Sequence, residues 1–564
     1  MHSGESARVQ RGFALIALLA LAALISAFLI ASALNFTSAG ISNEREDRSM
    51  SALRKAKAAL IAYAASEQWQ LYKGQPTDQP GGLPCPDTDD DGASEGLCSN
   101  ALSRVGRLPW ASIGADDLRD ASGERLWYAV SSNFRRLSGT TIINSDTQGL
   151  LIVTGAAPAS NVVAVVIAPG NALSGQDRIA QHNDPAAYLE GVTASTPDYG
   201  FNTVALPSGT ANDRLLVITQ AELMAAVEPV VAARIERDVK PLIQSYFGIW
   251  GFYPFAVPFA GGPPVLQSAY LGVPGQSNGL MPLTSAPFTW LNSAPDFITV
   301  TEIAGGTGLP TNPTWTCSGG VNLVCTIQYS GGSGDRPAIQ LQGILSGPTT
   351  SFADGPASTL VGSLSMIDGN SNTTTWSSSS PTFTPTTNIA VQAKGLVATY
   401  TGRLRNPVST AGQVTITVPG ITNYLPIQSS NTTTNPTGAW FVANQWYRQI
   451  YYAISPGYDP GGSGTCNPLP GTPSCLTVNK LRPVAPASCT PLVPSTDPCS
   501  TINKRALLIL AGRVLNGNPR PSPTLADYLE SANLTAANGT TPFVYEHRAG
   551  VPTTINDRVV IVSP

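Results

Sequence analysis

Ala164-Val-Val-Ile-Ala-Pro-Gly-Asn-Ala-Leu-Ser-Gly-Gln-Asp-Arg178 aligns without gaps to Ala506-Leu-Leu-Ile-Leu-Ala-Gly-Arg-Val-Leu-Asn-Gly-Asn-Pro-Arg520. Each is an apolar run of strand length, followed by Gly- and Asn-bearing turn residues and closed by an arginine. On either side the likeness continues in one order. Trp127-Tyr128-Ala129-Val130-Ser131 matches Tyr451-Tyr452-Ala453-Ile454-Ser455, and Ala187-Tyr188-Leu189-Glu190 matches Asp527-Tyr528-Leu529-Glu530. Asn212-Asp213-Arg214 and the apolar run behind it match Asn556-Asp557-Arg558 and its own apolar run. Four blocks in the same order define an internal repeat. Each copy reads as strand, loop, strand, short helix, loop, strand, which predicts a bilobed α+β body with the repeated positions as core strands and turns.

Between the copies the pattern changes. Thr219 and Glu222 form a capping box, and Leu223, Val227, Val231, Ile235, Val239, Leu242 and Tyr246 keep helical spacing, with Pro229 and Pro241 placed to kink the helix. From Gly251 to about Pro313 the chain is rich in Pro and Gly. Strand candidates follow at Leu323 to Tyr329, Ile339 to Leu345, Ile389 to Tyr400 and Val414 to Val418. Their spacing predicts an inserted antiparallel β-sandwich of immunoglobulin-like type. The resulting plan is a leader at 1–12, a helix at 13–65, a first α+β lobe at 66–250, an insertion at 251–434 and a second α+β lobe at 435–564.

The composition bounds what such a chain does. Only 12% of the 564 residues are charged and the net charge is −4, which excludes a nucleic-acid binder that works by neutralising phosphates. The 53 glycines and 47 prolines argue against a compact all-helical protein, while 42% hydrophobic residues supply sizeable cores. The length suits three or four domains, and the Ser-, Thr- and Asn-rich texture with few lysines reads as extracellular.

Phe13 to Leu34 is a run of 22 residues without a charge, long enough as a helix to span about 33 Å. Arg8 and Arg11 precede it, so the positive-inside rule predicts a single-pass inner-membrane segment with the bulk of the chain periplasmic or extracellular. A cleaved secretory signal is the competing reading, since Ala31-Ser32-Ala33 offers a cleavage site, but the run exceeds the usual length of such a segment. Helical spacing continues through Leu53, Ala56, Leu60, Ile61 and Ala64, so one long helix is expected from Phe13 towards Ala65.

Arg11-Gly12-Phe13-Ala14-Leu15-Ile16, leading into this apolar and then amphipathic helix, resembles the leader of type IV pilins and type II secretion pseudopilins. The resemblance implies that a prepilin peptidase cuts after Gly12 and that the new N-terminus, Phe13, is methylated. The fifth residue after that bond is Ala17, where the family has Glu, as in some minor members located at the filament tip. Gly106-Arg107-Leu108-Pro109-Trp110 and Asp120-Ala121-Ser122-Gly123, ahead of Trp127-Tyr128-Ala129-Val130, are similar to the Leu-Pro-Trp segment and turn-to-strand passage of pseudopilin-like proteins. Together these matches cover about the first quarter of the chain and imply other pilin-like subunits as partners.

The eight cysteines form four sequential pairs, Cys85 and Cys98, Cys317 and Cys325, Cys466 and Cys475, Cys489 and Cys499, separated by 13, 8, 9 and 10 residues. Those separations suit local disulfide loops in an oxidising compartment, although sequence leaves the connectivity open. Zinc is improbable without a C-x-x-C motif and with His2, His182 and His547 as the only histidines.

Inside the first cysteine loop, Asp87-Thr88-Asp89-Asp90-Asp91-Gly92 is the opening of a calcium loop, in which alternate carboxylates converge on a hard cation. Asp87, Asp89, Asp91 and Glu95 are the candidate calcium ligands. Cys98 stands where such loops place a bidentate Glu, and a solvated acidic loop is the alternative. Gly92-Ala93-Ser94-Glu95-Gly96 also fits the hydrolase pattern G-x-S-x-G, but the strand that should precede it is missing and no catalytic role is expected.

Three functions compete on this reading. One is a minor pilin or pseudopilin-like structural subunit, at the tip of a type IV pilus or type II secretion filament, with the β insertion for adhesion to a surface or protein ligand. The others are a membrane-anchored binding protein outside any filament and, more weakly, an anchored hydrolase. We expect no enzymatic activity and no cofactor other than calcium.

Overall fold

The computed structural model describes residues 6–66, most of 71–283, nine strands between 298 and 418, and most of 439–563. Within the first helix it describes the side chains of 21–28 and 40–66. The chain is α+β and forms two compact units. One comprises residues 1–77, 81–141 and 147–223, and the other 78–80, 142–146 and 224–564.

The first unit opens with α1 (Ser6–Ala64), a continuous helix of 59 residues. Leu53, Ala56, Leu60 and Ala64 recur every three or four positions and are all buried, with Ala52 beside them, as expected for the face of a helix laid on a sheet. Among the described residues, however, no helix is long and apolar enough to cross a membrane. This overturns the expected transmembrane half of α1 and, with it, the single-pass inner-membrane location. Beyond residue 40 the helix carries Glu44, Arg45, Glu46, Asp47 and Arg48 in one run.

A short hairpin, β1 (Leu71–Tyr72) and β2 (Gln75–Pro76), follows α1. The main sheet contains β3 (Val105–Arg107), β4 (Trp127–Val130), β5 (Leu151–Gly155), β6 (Ala159–Ala168), β7 (Gly200–Thr203) and β8 (Arg214–Thr219). Its centre is β6, antiparallel to β4, β5 and β8; β3 extends it beyond β4, and β7 runs parallel to β5. The run 162–168 is buried without alternation because both its faces are covered, the condition that yields a continuous apolar strand. Helix α1 packs on β6 and β8, where the Lys57 ammonium donates to the Val217 carbonyl at 2.8 Å and pairs with Glu222 at 2.7 Å. Nearer the middle of the helix, Glu46 pairs with Arg214 at 3.0 Å.

The capping box closes as the sequence predicts. Thr219 N donates to Glu222 Oε2 at 3.0 Å, and Glu222 N donates to Thr219 Oγ1 at 3.3 Å. Helix α2 (Gln220–Arg234) then passes through a π-helical turn, Ile235–Val239, into α3 (Lys240–Trp250). The wider turn immediately precedes Pro241, which lacks the N–H that an α-helix needs there.

In the second unit β9 (Asn278–Leu280) precedes the inserted strands. These are β10 (Ile298–Glu302), β11 (Thr316–Ser318), β12 (Leu323–Tyr329), β13 (Gly334–Ile344), β14 (Ser363–Ile367), β15 (Thr373–Ser377), β16 (Phe383–Thr384), β17 (Val397–Asn406) and β18 (Gly412–Val418). They form two antiparallel sheets, in the orders β10-β13-β17-β16 and β11-β12-β18-β14-β15. After a short helix α4 (Ala439–Ala443) come β19 (Ile450–Ile454), β20 (Leu476–Leu481), β21 (Ser500–Lys504), β22 (Ala506–Leu510), helix α5 (Ser531–Ala537), β23 (Val544–Arg548) and β24 (Arg558–Ser563).

The pairings of the first sheet recur here. β22 lies between β19 and β24, β9 extends beyond β19, and β20 runs parallel to β23. The one long strand β6 corresponds to β21 plus β22, interrupted at Arg505. Trp127, Val165, Ile167, Tyr188 and Leu189 of the first core stand where Tyr451, Leu507, Ile509, Tyr528 and Leu529 stand in the second. The inserted sheets therefore leave the chain between β9 and β19, the place of the β3–β4 connection in the first unit.

Candidate functional site

That β3–β4 connection, residues 108–126, supports the acidic loop. Leu108, Pro109 and Trp110 run beneath it; Ala111 N donates to the Gly92 carbonyl at 2.9 Å and Ser94 N to Ser112 Oγ at 2.8 Å. Gly92 has φ +85°, and a Cβ there would meet the Trp110 indole at 2.5 Å, so both the turn and the close approach require glycine. At its base the loop is closed by the Cys85–Cys98 disulfide, with a Cα separation of 5.6 Å. A reciprocal backbone bridge between Asp87 and Arg107 fastens it to β3, at 3.0 and 2.7 Å.

Asp87 organises the loop. Its Oδ1 accepts from Asp89 N at 3.1 Å and Asp90 N at 2.7 Å, and its Oδ2 from Gly92 N at 2.7 Å. Burial pushes its carboxyl above the ordinary range, while these three backbone donors work in the other direction. Glu95 Oε1 accepts from Thr88 N at 3.1 Å and Thr88 Oγ1 at 2.9 Å, which swings it back over the loop. One carboxylate oxygen each from Asp87, Asp89 and Glu95 lies within 4.8 Å of the others, a spacing that suits a hard cation with oxygen ligands.

Asp91, the remaining expected ligand, is outside this group; its Oδ1 accepts from Ala93 N at 2.6 Å. Asp90, which is not among the candidate ligands, joins the loop to the body. Its carboxylate pairs with Arg125 at 2.8 Å and lies 3.8 Å from Arg107 Nε, and the Asp90 carbonyl accepts from Arg125 Nη1 at 2.8 Å. These arginines supply the counter-charge for a run of four acids within five residues. Neither was legible as a partner, since each reaches the loop only through the β3–β4 pairing.

Ser94 of the G-x-S-x-G match lies in this loop, with its hydroxyl directed to the Glu95 carbonyl at 3.4 Å rather than at a strand-to-helix turn. Cys466 and Cys475 form a second disulfide, with a Cα separation of 5.0 Å. Cys317 and Cys325 oppose one another in the β11–β12 register. Their side chains, and Cys489 and Cys499, lie outside the described residues, as does the side chain of Phe13, next to Gly12 near the start of α1.

Comparison with known proteins adds no identity. No family model matches the chain, and neither does any curated protein. A solved structure described as a putative kojibiose phosphorylase from human microbiome is similar at 13% identity over 31% of this chain, with a TM-score of 0.12. The chain spans 24% of that protein's length, and a likeness of this degree carries no argument about fold or activity.

Proposed function

We propose that the chain is a pilin-like structural subunit of a type IV pilus or type II secretion filament, a minor and tip-located one, without catalytic activity. The observation that carries this reading is the division of labour along α1. Its C-terminal half is fixed to the sheet through Leu53, Ala56, Leu60 and Ala64, whereas Leu21, Leu24, Ile25 and Phe28 stand between half and three-quarters exposed. An apolar helix surface left in water is unfavourable, and a bundle of like helices covers it. The leader-like Gly12-Phe13 bond at the head of the same helix supports the reading, with a prepilin peptidase and other pilin-like subunits as partners. In this proposal the acidic loop takes calcium, and the insertion between β9 and β19 meets a surface or protein ligand.

The test is made on the native chain. Mass spectrometry of the mature N-terminus should find methylated Phe13, and a photo-activatable phenylalanine analogue in place of Leu24 should cross-link to pilin-like subunits in the producing cells. A mature chain beginning at another residue, together with no such cross-link, rejects the proposal.

A further inference from the structure

The repeat places the same pair of carboxyl groups in each unit, a buried aspartate against a half-buried glutamate. In the first, Glu190 N donates to Asp213 Oδ2 at 2.6 Å, and Asn212 N donates to Glu190 Oε2 at 3.0 Å. Each acid thus holds the backbone of the segment carrying the other, and the two segments are latched just ahead of β8. In the second unit Glu530 N donates to Asp557 Oδ2 and Asn556 N to Glu530 Oε2, both at 3.1 Å, just ahead of β24. Asp213 is 4% exposed and Asp557 1%. In both, the other oxygen, Oδ1, is buried and meets no hydrogen-bond donor.

The neighbouring charges do not resolve this arrangement. Arg178 stacks on Tyr188 at 4.7 Å and donates to the Gly170, Ala187 and Tyr188 carbonyls, with its ion pair made to Glu124. Gln176 Nε2 donates to the outer oxygen of Glu190, and Arg214 turns away to Glu46. In the second unit Arg520 stacks on Tyr528 at 4.5 Å, donates to the Gly512 and Asp527 carbonyls and faces Asp146. Asn533 donates to Asp557 Oδ2 at 3.0 Å, the acid already engaged by Glu530 N. Asp527 is taken up by Asn518 and Ser522. Arg558 faces Glu228 and Arg513, and His547 Nδ1 accepts from Val559 N.

A buried carboxylate placed beside a second carboxylate resists ionisation, and an acceptor without a donor costs free energy in a dry environment. We propose that each unit binds one proton between its two carboxyl groups, Glu190 with Asp213 and Glu530 with Asp557, and that this proton closes a latch which loosens as the pH rises. The aspartic acid O–H supplies the donor that Oδ1 lacks, and the glutamate carboxylate receives it. Burial first, and the charge of Glu190 second, push the Asp213 carboxyl to about 9, and burial first, with the charge of Glu530 second, pushes Asp557 well above its ordinary range. Because the folded value lies above the unfolded one, the stabilisation is complete below about pH 4 and is lost as the pH rises towards about 9.

The experiment compares the full chain with Asp213→Asn/Asp557→Asn, in which each amide presents a donor to glutamate without titrating. Unfolding of the wild type between about pH 5 and pH 8 should release about one more proton per latch than the double variant, so its urea midpoint falls with pH while that of the variant stays flatter. Infrared difference spectra of the native wild type at pH 7 should carry the carbonyl stretch of protonated carboxylic acids, absent from the variant. Equal pH slopes with no such band overturn the proposal. So does a midpoint at pH 7 that rises with calcium or magnesium in wild type but not in the double variant, with no acid band, since a cation then bridges the carboxylates. Should the variant fail to fold, loss of the band from wild type between pH 7 and pH 10 decides the matter by itself, and its absence throughout overturns the inference.

Discussion

Leu60 is the most direct probe of how α1 is held. Its side chain is fully buried where the helix lies against β6 and β8. Leu60→Ala removes about three methylene-sized groups, worth roughly 2.4 kcal/mol of transfer free energy at about 0.8 kcal/mol each. A cavity term adds to this, because neighbouring Leu53, Ala56 and Ala64 sit on the same rigid helix and cannot collapse into the space. The total is about 3 to 4 kcal/mol, which lowers the melting temperature of a unit of this size by roughly 6 to 16 °C. Leu24→Ala removes the same atoms from a side chain that is 69% exposed, and the isolated subunit should tolerate it within about 0.5 kcal/mol. In the proposed filament the order reverses, since Leu24 is then among the side chains that neighbouring helices cover. Calorimetry of both purified variants, with cross-linking yield as the measure of assembly, separates the two roles. A Leu60→Ala protein melting within about 2 °C of wild type would refute the docking argument, as would a Leu24→Ala protein that melts as low as Leu60→Ala.

The acidic loop and the core of the second unit give two further expectations. Calcium at about a hundred times its dissociation constant should stabilise the wild type by about 2.7 kcal/mol. Asp89→Asn should abolish that shift and Asp91→Asn preserve most of it, because only Asp89 belongs to the converging group; a calcium titration followed by melting shows which. Glu228 is buried, accepts from Arg513 N at 2.6 Å and Nη1 at 3.0 Å, and accepts from Ser145 Oγ at 3.2 Å. Glu228→Ala strands a buried guanidinium and should cost about 3 to 5 kcal/mol, whereas adding Arg513→Met should recover part of the loss in a denaturant double-mutant cycle.

What the sequence by itself determined is whatever depends on residues close together in the chain. The capping box at Thr219 and Glu222 spans three positions and the strands of the repeat are apolar runs bounded by turns, while the thirteen-residue separation of Cys85 and Cys98 suited a disulfide without fixing it. The convergence of Asp87, Asp89 and Glu95 follows from spacing within one loop, and so was legible. The apolar start of α1 shows where hydropathy misled: an uncharged run in sequence does not make a membrane span among the described residues. Asp91 shares the spacing of the other acids, yet its Oδ1 accepts from Ala93 N and its carboxylate is not in the converging group, a difference that spacing does not reveal.

Tertiary structure alone decided the long-range partners. It set β9 beside β19, and so placed the insertion where the first unit has the β3–β4 connection that supports the acidic loop. It brought Arg125 to Asp90, Arg513 to Glu228 across 285 residues, and Asp213 to the backbone of Glu190. The matched blocks marked Glu190, Asp213, Glu530 and Asp557 as equivalent positions without showing that they meet. Sheet register fixes which loops face one another, and in a buried, low-dielectric setting that juxtaposition decides whether an acid keeps its proton.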